Sequence, residues 1–109
     1  MDKSLKRGFL ELLVLKCLDG RRLHGYALLK DLEQADASHF QASEGSLYPL
    51  LARLEREGLI KSAWVERRRY YTLTVKGKKA LTTQKQAWQS FSEAMTRFLA
   101  TPLPDGASA

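Results

Sequence analysis

One change of periodicity limits the folds open to this chain more than any other feature. Along 44–58, Leu47, Leu50, Leu51 and Leu54 recur at the i, i+3, i+4, i+7 spacing of a single buried helix face, and Gly58 closes the run where a left-handed C-cap is expected. From Leu59 the period becomes two. Ile60, Ser62 and Trp64 fall on one side, Lys61, Ala63 and Val65 on the other, and Tyr71 and Leu73 continue a second strand rich in β-formers. Arg67, Arg68 and Arg69 are expected between the two strands. A helix that runs through a tight turn into a basic hairpin keeps one face free, with cations beside it.

Upstream, Leu5, Phe9, Leu12, Leu13 and Cys17 make a wide apolar stripe on a helix expected from about Ser4 to Leu18, ended by Asp19 and Gly20. Tyr26, Leu29 and Leu32 predict a second helix over about Gly25–Gln34, with His24 at its start, and 35–42 reads as a turn. Ser43 is a candidate N-cap for the third helix, because its hydroxyl can accept a bond from an otherwise orphaned N–H. Pro49 conflicts with that cap: beyond the first turn it removes a backbone hydrogen bond, so either the helix bends there or it begins nearer Gly45. After Gly77 a fourth helix should run to about Ala100, where Thr101-Pro102 and Pro104-Asp105-Gly106 stop it. The fold class expected is mostly α with a small β-wing. It divides into a winged helix-turn-helix over 1–75, a long C-terminal dimerisation helix over 76–100 and a disordered tail over 101–109.

At 109 residues and 44% apolar content the chain fits one small globular domain. Its net charge of +6 suits a polyanionic partner, although charge alone does not separate DNA from RNA or an anionic membrane. With no N-terminal apolar segment and no long apolar run, neither secretion nor membrane insertion is expected, and the location expected is cytoplasmic. The single Cys17 sits among Leu13, Val14 and Leu18 and reads as a core thiol rather than a redox sensor. His24, His39 and Cys17 are too few and too scattered to predict a metal site. A glycine-rich phosphate loop and a nucleophile with a base at motif spacing are both absent from the sequence, so neither enzymatic activity nor a cofactor is expected.

Along the fourth helix Trp88, Phe91, Met95 and Phe98 follow the 3-4-3 spacing of a coiled-coil seam, which Leu81 extends and Gln84 interrupts. A winged domain of this size cannot cover so much apolar surface alone, so a second copy of the chain is expected on the seam. The competing arrangement folds the helix back on its own domain.

Several local patterns, in this order and spacing, point further. They are R-G-F-L-E-L-L-V-L-K-C-L at Arg7–Leu18, H-G-Y at His24–Tyr26, E-G-S-L-Y-P-L-L-A-R-L-E-R-E-G-L-I at Glu44–Ile60, and R-Y-Y-T-L-T-x-x-G at Arg69–Gly77. Together they resemble the PadR family of bacterial transcriptional regulators in its short form, with one C-terminal helix. The resemblance implies a homodimer that binds double-stranded DNA at an inverted repeat, with repression as the usual outcome. It implies DNA contacts from Ser43, Ser46, Tyr48 and Pro49 at the start of the recognition helix, and from the basic wing at Arg67, Arg68 and Arg69. Hydroxyls and helix N-terminal amides suit phosphate oxygens, and the first turns of such a helix reach the major groove. Arg53 and Arg56 point either to DNA or to Glu55 and Glu57. Only five residues separate Trp64 from Tyr70, fewer than is common in the family, which favours phosphate neutralisation over minor-groove insertion.

The resemblance also implies a stacking role for Trp88, as in multidrug-responsive members, where planar hydrophobic effectors lie between symmetry-related tryptophans. Phe91, Met95 and Phe9 would be its neighbours. A closed interface built around the same tryptophan is the alternative. Three functions therefore stand: a ligand-responsive dimeric repressor, a winged-helix module that binds another protein, and a constitutive DNA-binding factor without effector.

Overall fold

The computed structural model describes residues 3–34 and 43–106, with side chains from Gly8 onward in the first stretch. The expected turn over 35–42 with His39, the Leu5 side chain and the end of the tail lie outside these residues. The elements are α1 (Lys3–Cys17), β1 (Leu23–His24), α2 (Gly25–Gln34), α3 (Glu44–Arg56), β2 (Ile60–Val65), β3 (Arg68–Leu73) and α4 (Val75–Ala100). The strands form an antiparallel sheet in the order β1-β3-β2.

The core is built almost wholly from leucine. Val14, Leu15 and Leu18 at the end of α1, Leu28, Leu29 and Leu32 of α2, and the four α3 leucines at 47, 50, 51 and 54 meet Leu59, Ile60, Tyr71 and Leu73 of the hairpin. Fully burying one such side chain contributes about 1.5–3 kcal/mol, so this cluster fixes how α3 is held against the sheet. Cys17 packs at its margin, and burial, reinforced by Asp31, pushes its thiol pKa up.

The start of α3 is settled by a pair of serines. Ser43 has extended backbone, its N–H donates to Ser46 Oγ at 3.0 Å, and the two side chains make a capping box. The helix therefore begins at Glu44 and Pro49 is carried inside it. At the other end the Leu59 N–H donates to the Leu54 carbonyl at 2.9 Å and the Gly58 N–H to that of Glu55 at 3.0 Å. With φ of +77° at Gly58 this is a Schellman termination, and it turns the chain directly into β2.

Three features differ from the sequence reading. Arg68 and Arg69 belong to β3 rather than to the loop, because Val65 pairs with Arg68 and only Glu66 and Arg67 form the turn, both at positive φ. A third strand, β1, pairs Leu23 with Tyr71 and His24 with Tyr70. Finally, α4 begins at Val75 rather than after Gly77, capped by Thr74, whose Oγ1 accepts the Gly77 N–H at 3.0 Å. Gly77 is needed for closeness, since a Cβ there would stand 1.9 Å from the carbonyl oxygen of Leu59.

Only Gly77 and Leu81 of α4 are buried. At about 1.5 Å per residue the helix is about 39 Å long, and most of it projects from the domain. The long axis of the molecule is 69 Å and its radius of gyration 17.5 Å, against about 13 Å for a compact chain of this length. The helix does not fold back over the core. Among the described residues no helix is long and apolar enough to cross a membrane.

Candidate nucleic-acid interface

The Schellman turn and the hairpin register together place the wing beside the exposed face of α3. Ser43, Ser46, Tyr48 and Pro49 are all exposed at the beginning of that helix, at its positive dipole end. Tyr48 is 43% exposed, and its ring edge and hydroxyl lie over the backbone of Gly25, which fixes where the ring points.

Two open grooves flank Tyr48. One, of about 400 Å³, runs between Ala52, Glu55 and Arg56 of α3 and Arg69 and Tyr71 of β3. The other, of about 330 Å³, has a polar lining of His24, Tyr26, Tyr48, Arg67, Arg68 and Arg69, with no carboxylate in its walls. Tyr48 and the three wing arginines are thus brought to one place. Ser43, Ser46 and Pro49 continue the same exposed helix start, outside both grooves.

The arginines are not equivalent. Arg69 Nη2 donates to Glu55 Oε1 at 2.7 Å and Arg69 Nε to Ser62 Oγ at 2.8 Å, while the Ser62 hydroxyl donates to Glu55 Oε2 at 2.6 Å. This triangle braces the wing against α3. Arg67 occupies the turn, at φ of +71°, with no ion pair among the described residues. Arg68 Nη1 lies 3.2 Å from Nε2 of His24. Arg56 is exposed on the first groove.

Arg53 stands apart from this group. It bridges Glu57 on its own helix, at 3.1 Å, and Glu11 of α1, at 3.2 Å. Burial lowers its pKa, but the hydrogen bonds to Glu11 and Glu57 outweigh that effect and leave it raised. Its place is the joint between α1 and α3, away from both grooves.

Sequence reasoning did not place His24, Tyr26 or Trp64 at this surface. Trp64 is 70% exposed and Tyr26 58%. His24 caps α2 by accepting the Ala27 N–H on Nδ1 at 3.2 Å, and its ring stacks near Tyr26 and edge-on against Tyr70. The H-G-Y string at 24–26 was the available signal, with Gly25 making room for Tyr48.

Between α1 and α4 Phe9 meets Trp88 edge-on, with ring centroids 5.1 Å apart, and Trp88 lies 6.0 Å from Phe91. Three of the four residues expected around a planar ligand are therefore neighbours along α1 and α4. Met95 lies one turn beyond Phe91 on the same helix and is exposed.

A recognition helix with an open N-terminus, braced beside a cationic two-stranded wing, defines a DNA-binding protein of the winged helix-turn-helix class. The transcriptional regulator PadR-like family matches residues 14–83, and the chain belongs to that family. It is a DNA-binding transcriptional regulator and not an enzyme. Among solved structures it is similar to a PadR-like transcriptional regulator from Bacillus cereus, with a TM-score of 0.82, 30% identity, and coverage of 92% of this chain and 100% of that one. A transcriptional regulator from Clostridium thermocellum matches at a TM-score of 0.80 and 28% identity over 90% of this chain and 97% of its own. A PadR family regulator from Clostridium difficile matches at 0.76 and 30% over 84% and 99%.

Proposed function

We propose that the protein is a homodimeric repressor that binds an inverted-repeat operator. The observation that carries this reading is the apolar seam of α4, where Trp88, Phe91, Met95 and Phe98 are 43, 55, 42 and 61% exposed on a helix that projects from its own domain. A second copy laid along the seam removes these side chains from water and sets two winged domains at a fixed separation. The half-sites then lie about 34–36 Å apart, or a multiple of that, on one face of the duplex. In each half-site Ser43, Ser46, Tyr48 and Pro49 approach the major groove, while Arg67 and Arg68 meet phosphates. Arg69 serves mainly to brace the wing, and Arg53 to join helices.

The ring cluster of Phe9, Trp88 and Phe91, with Met95 one turn on, supports a second element of the proposal: a planar hydrophobic effector enters the dimer seam at Trp88 and releases the operator. Sedimentation at micromolar protein, combined with gel-shift titration on the upstream region of its own gene, tests the dimer and the DNA reading together. A stable monomer, or a monomer that shifts the operator as tightly as the dimer, overturns it. Quenching of Trp88 fluorescence by planar apolar cations, with Trp64 replaced, tests the effector separately.

A further inference from the structure

The carboxylate-free groove beside Tyr48 contains a pair of groups that cannot satisfy each other. The Ala27 N–H donates to Nδ1 of His24 at 3.2 Å, so the neutral ring keeps its lone pair on Nδ1 and its proton on Nε2. That Nε2 lies 3.2 Å from Nη1 of Arg68, and a guanidinium has only donors. Two N–H groups thus converge on one space. The groove walls supply no carboxylate to stand between them, while Arg67 at the turn adds further positive potential. An oxygen anion placed beside both groups accepts from both, and so converts an unfavourable approach into two charge-assisted bonds.

We propose that His24 Nε2–H and the Arg68 guanidinium together hold one phosphate oxygen of the DNA backbone, making His24 a DNA contact as well as the cap of α2. The inference rests on the DNA-binding geometry given above and extends it to a residue outside the recognition helix and the wing. Tyr48 lines the same groove, so this phosphate lies next to the bases that the start of α3 reads. A free phosphate ion offers the same chemistry, and the test separates the two sources.

The measurement is duplex binding by fluorescence anisotropy over a series of salt concentrations. His24→Asn keeps an acceptor for the Ala27 N–H, since asparagine is a good N-cap, but removes the Nε2 donor. An unchanged thermal midpoint confirms that α2 remains capped. His24→Asn is expected to weaken binding about tenfold, the loss of one hydrogen bond to a charged group, without changing the salt slope. Arg68→Gln is expected to flatten the slope by about 0.9, one phosphate contact. Because both act on a single oxygen, the double variant should bind nearly as well as Arg68→Gln alone. Full affinity in His24→Asn, or losses that simply multiply in the double variant, overturns the proposal. A His24 ring resonance that shifts and saturates with inorganic phosphate in the absence of DNA assigns the groove to a soluble anion and overturns it too. Failure of the unmodified protein to bind any duplex overturns the DNA reading as a whole, whereas tight binding with an indifferent His24→Asn overturns this inference alone.

Discussion

Tyr48 occupies the space that a side chain at residue 25 would need: a Cβ on Gly25 would stand 2.8 Å from Tyr48 Cε1 and 3.0 Å from its hydroxyl oxygen. The first turn of α2 thereby locates an exposed ring on α3. Gly25→Ala should push Tyr48 aside while the core, which lies elsewhere, stays intact. The expected result is a loss of DNA affinity of about tenfold with a thermal midpoint within a few degrees of the parent, because the displaced ring is half exposed and the core is untouched. Parallel melts and binding isotherms check it.

Charge placed on the seam should separate the two copies of the proposed dimer. Phe91→Glu with Met95→Lys removes apolar surface that is exposed within one chain, so the helical signal of the winged domain should survive. The sedimentation coefficient should fall to that of a monomer. Operator affinity should drop by 100-fold or more, on the order of the effective-concentration advantage of two linked reading heads.

The wing turn holds two non-glycine residues at positive φ, Glu66 at +49° and Arg67 at +71°. A two-residue loop of this kind prefers Asn-Gly, and each left-handed residue with an ordinary side chain costs about 1 kcal/mol. Glu66→Asn is therefore expected to raise stability in urea by up to about 1 kcal/mol and to tighten DNA binding, since it removes an anion beside the phosphates. Arg67→Gly should stabilise by a similar amount yet weaken binding. Opposite signs of affinity with the same sign of stability would show that the arginine is kept at this position for its charge.

Gly77→Ala should be among the most damaging single-methyl additions in the protein. The new Cβ meets a backbone oxygen rather than a yielding side chain, at 1.9 Å, where both the Thr74 cap and the Leu59 turn would have to move. A destabilisation of about 3 kcal/mol or more is expected from denaturant curves, at the upper end of overpacking effects.

Cys17 supplies a pH dependence. Its thiol pKa is raised, first by burial and then by Asp31, so the folded state holds the proton more tightly than the unfolded chain. The stability this contributes is fully present below the unfolded thiol value of about 8.5 and is lost as pH rises through the higher folded value. Cys17→Ala should show a flatter decline of thermal midpoint between neutral and alkaline pH. A disulfide-exchange reagent should modify the native thiol more slowly than the denatured one at pH 8.

Most of the architecture was legible because it rests on repetition. Four leucines at helical spacing give α3, and alternation gives β2. Gly58 marks the join, which proved to be a Schellman turn. What escaped was too short or too dependent on distant partners to leave a period. Strand β1 is two residues long and exists because Leu23 and His24 find Tyr71 and Tyr70. The hairpin loop is shorter than three arginines in sequence suggest, since Val65 pairs with Arg68. Among the site residues, composition marks Arg67, Arg68 and Arg69 alike. Only the fold shows Arg69 held by Glu55 and Ser62, Arg53 held by Glu11, and Arg68 turned toward an imidazole.

The junction at Thr74 has a mechanical meaning. Its hydroxyl donates to the Gly58 carbonyl, Lys76 Nζ donates to that of Glu57 at 2.8 Å, and no linker intervenes between β3 and α4. The last turn of the reading head and the first turn of the arm are thus clamped into one piece. A tilt of only 5° along a lever of about 39 Å displaces its tip by about 3 Å, enough in the proposed dimer to spoil the registry of the two heads on a groove. On the proposed reading, a molecule wedged at Trp88 would therefore act on DNA from a distance without refolding anything between.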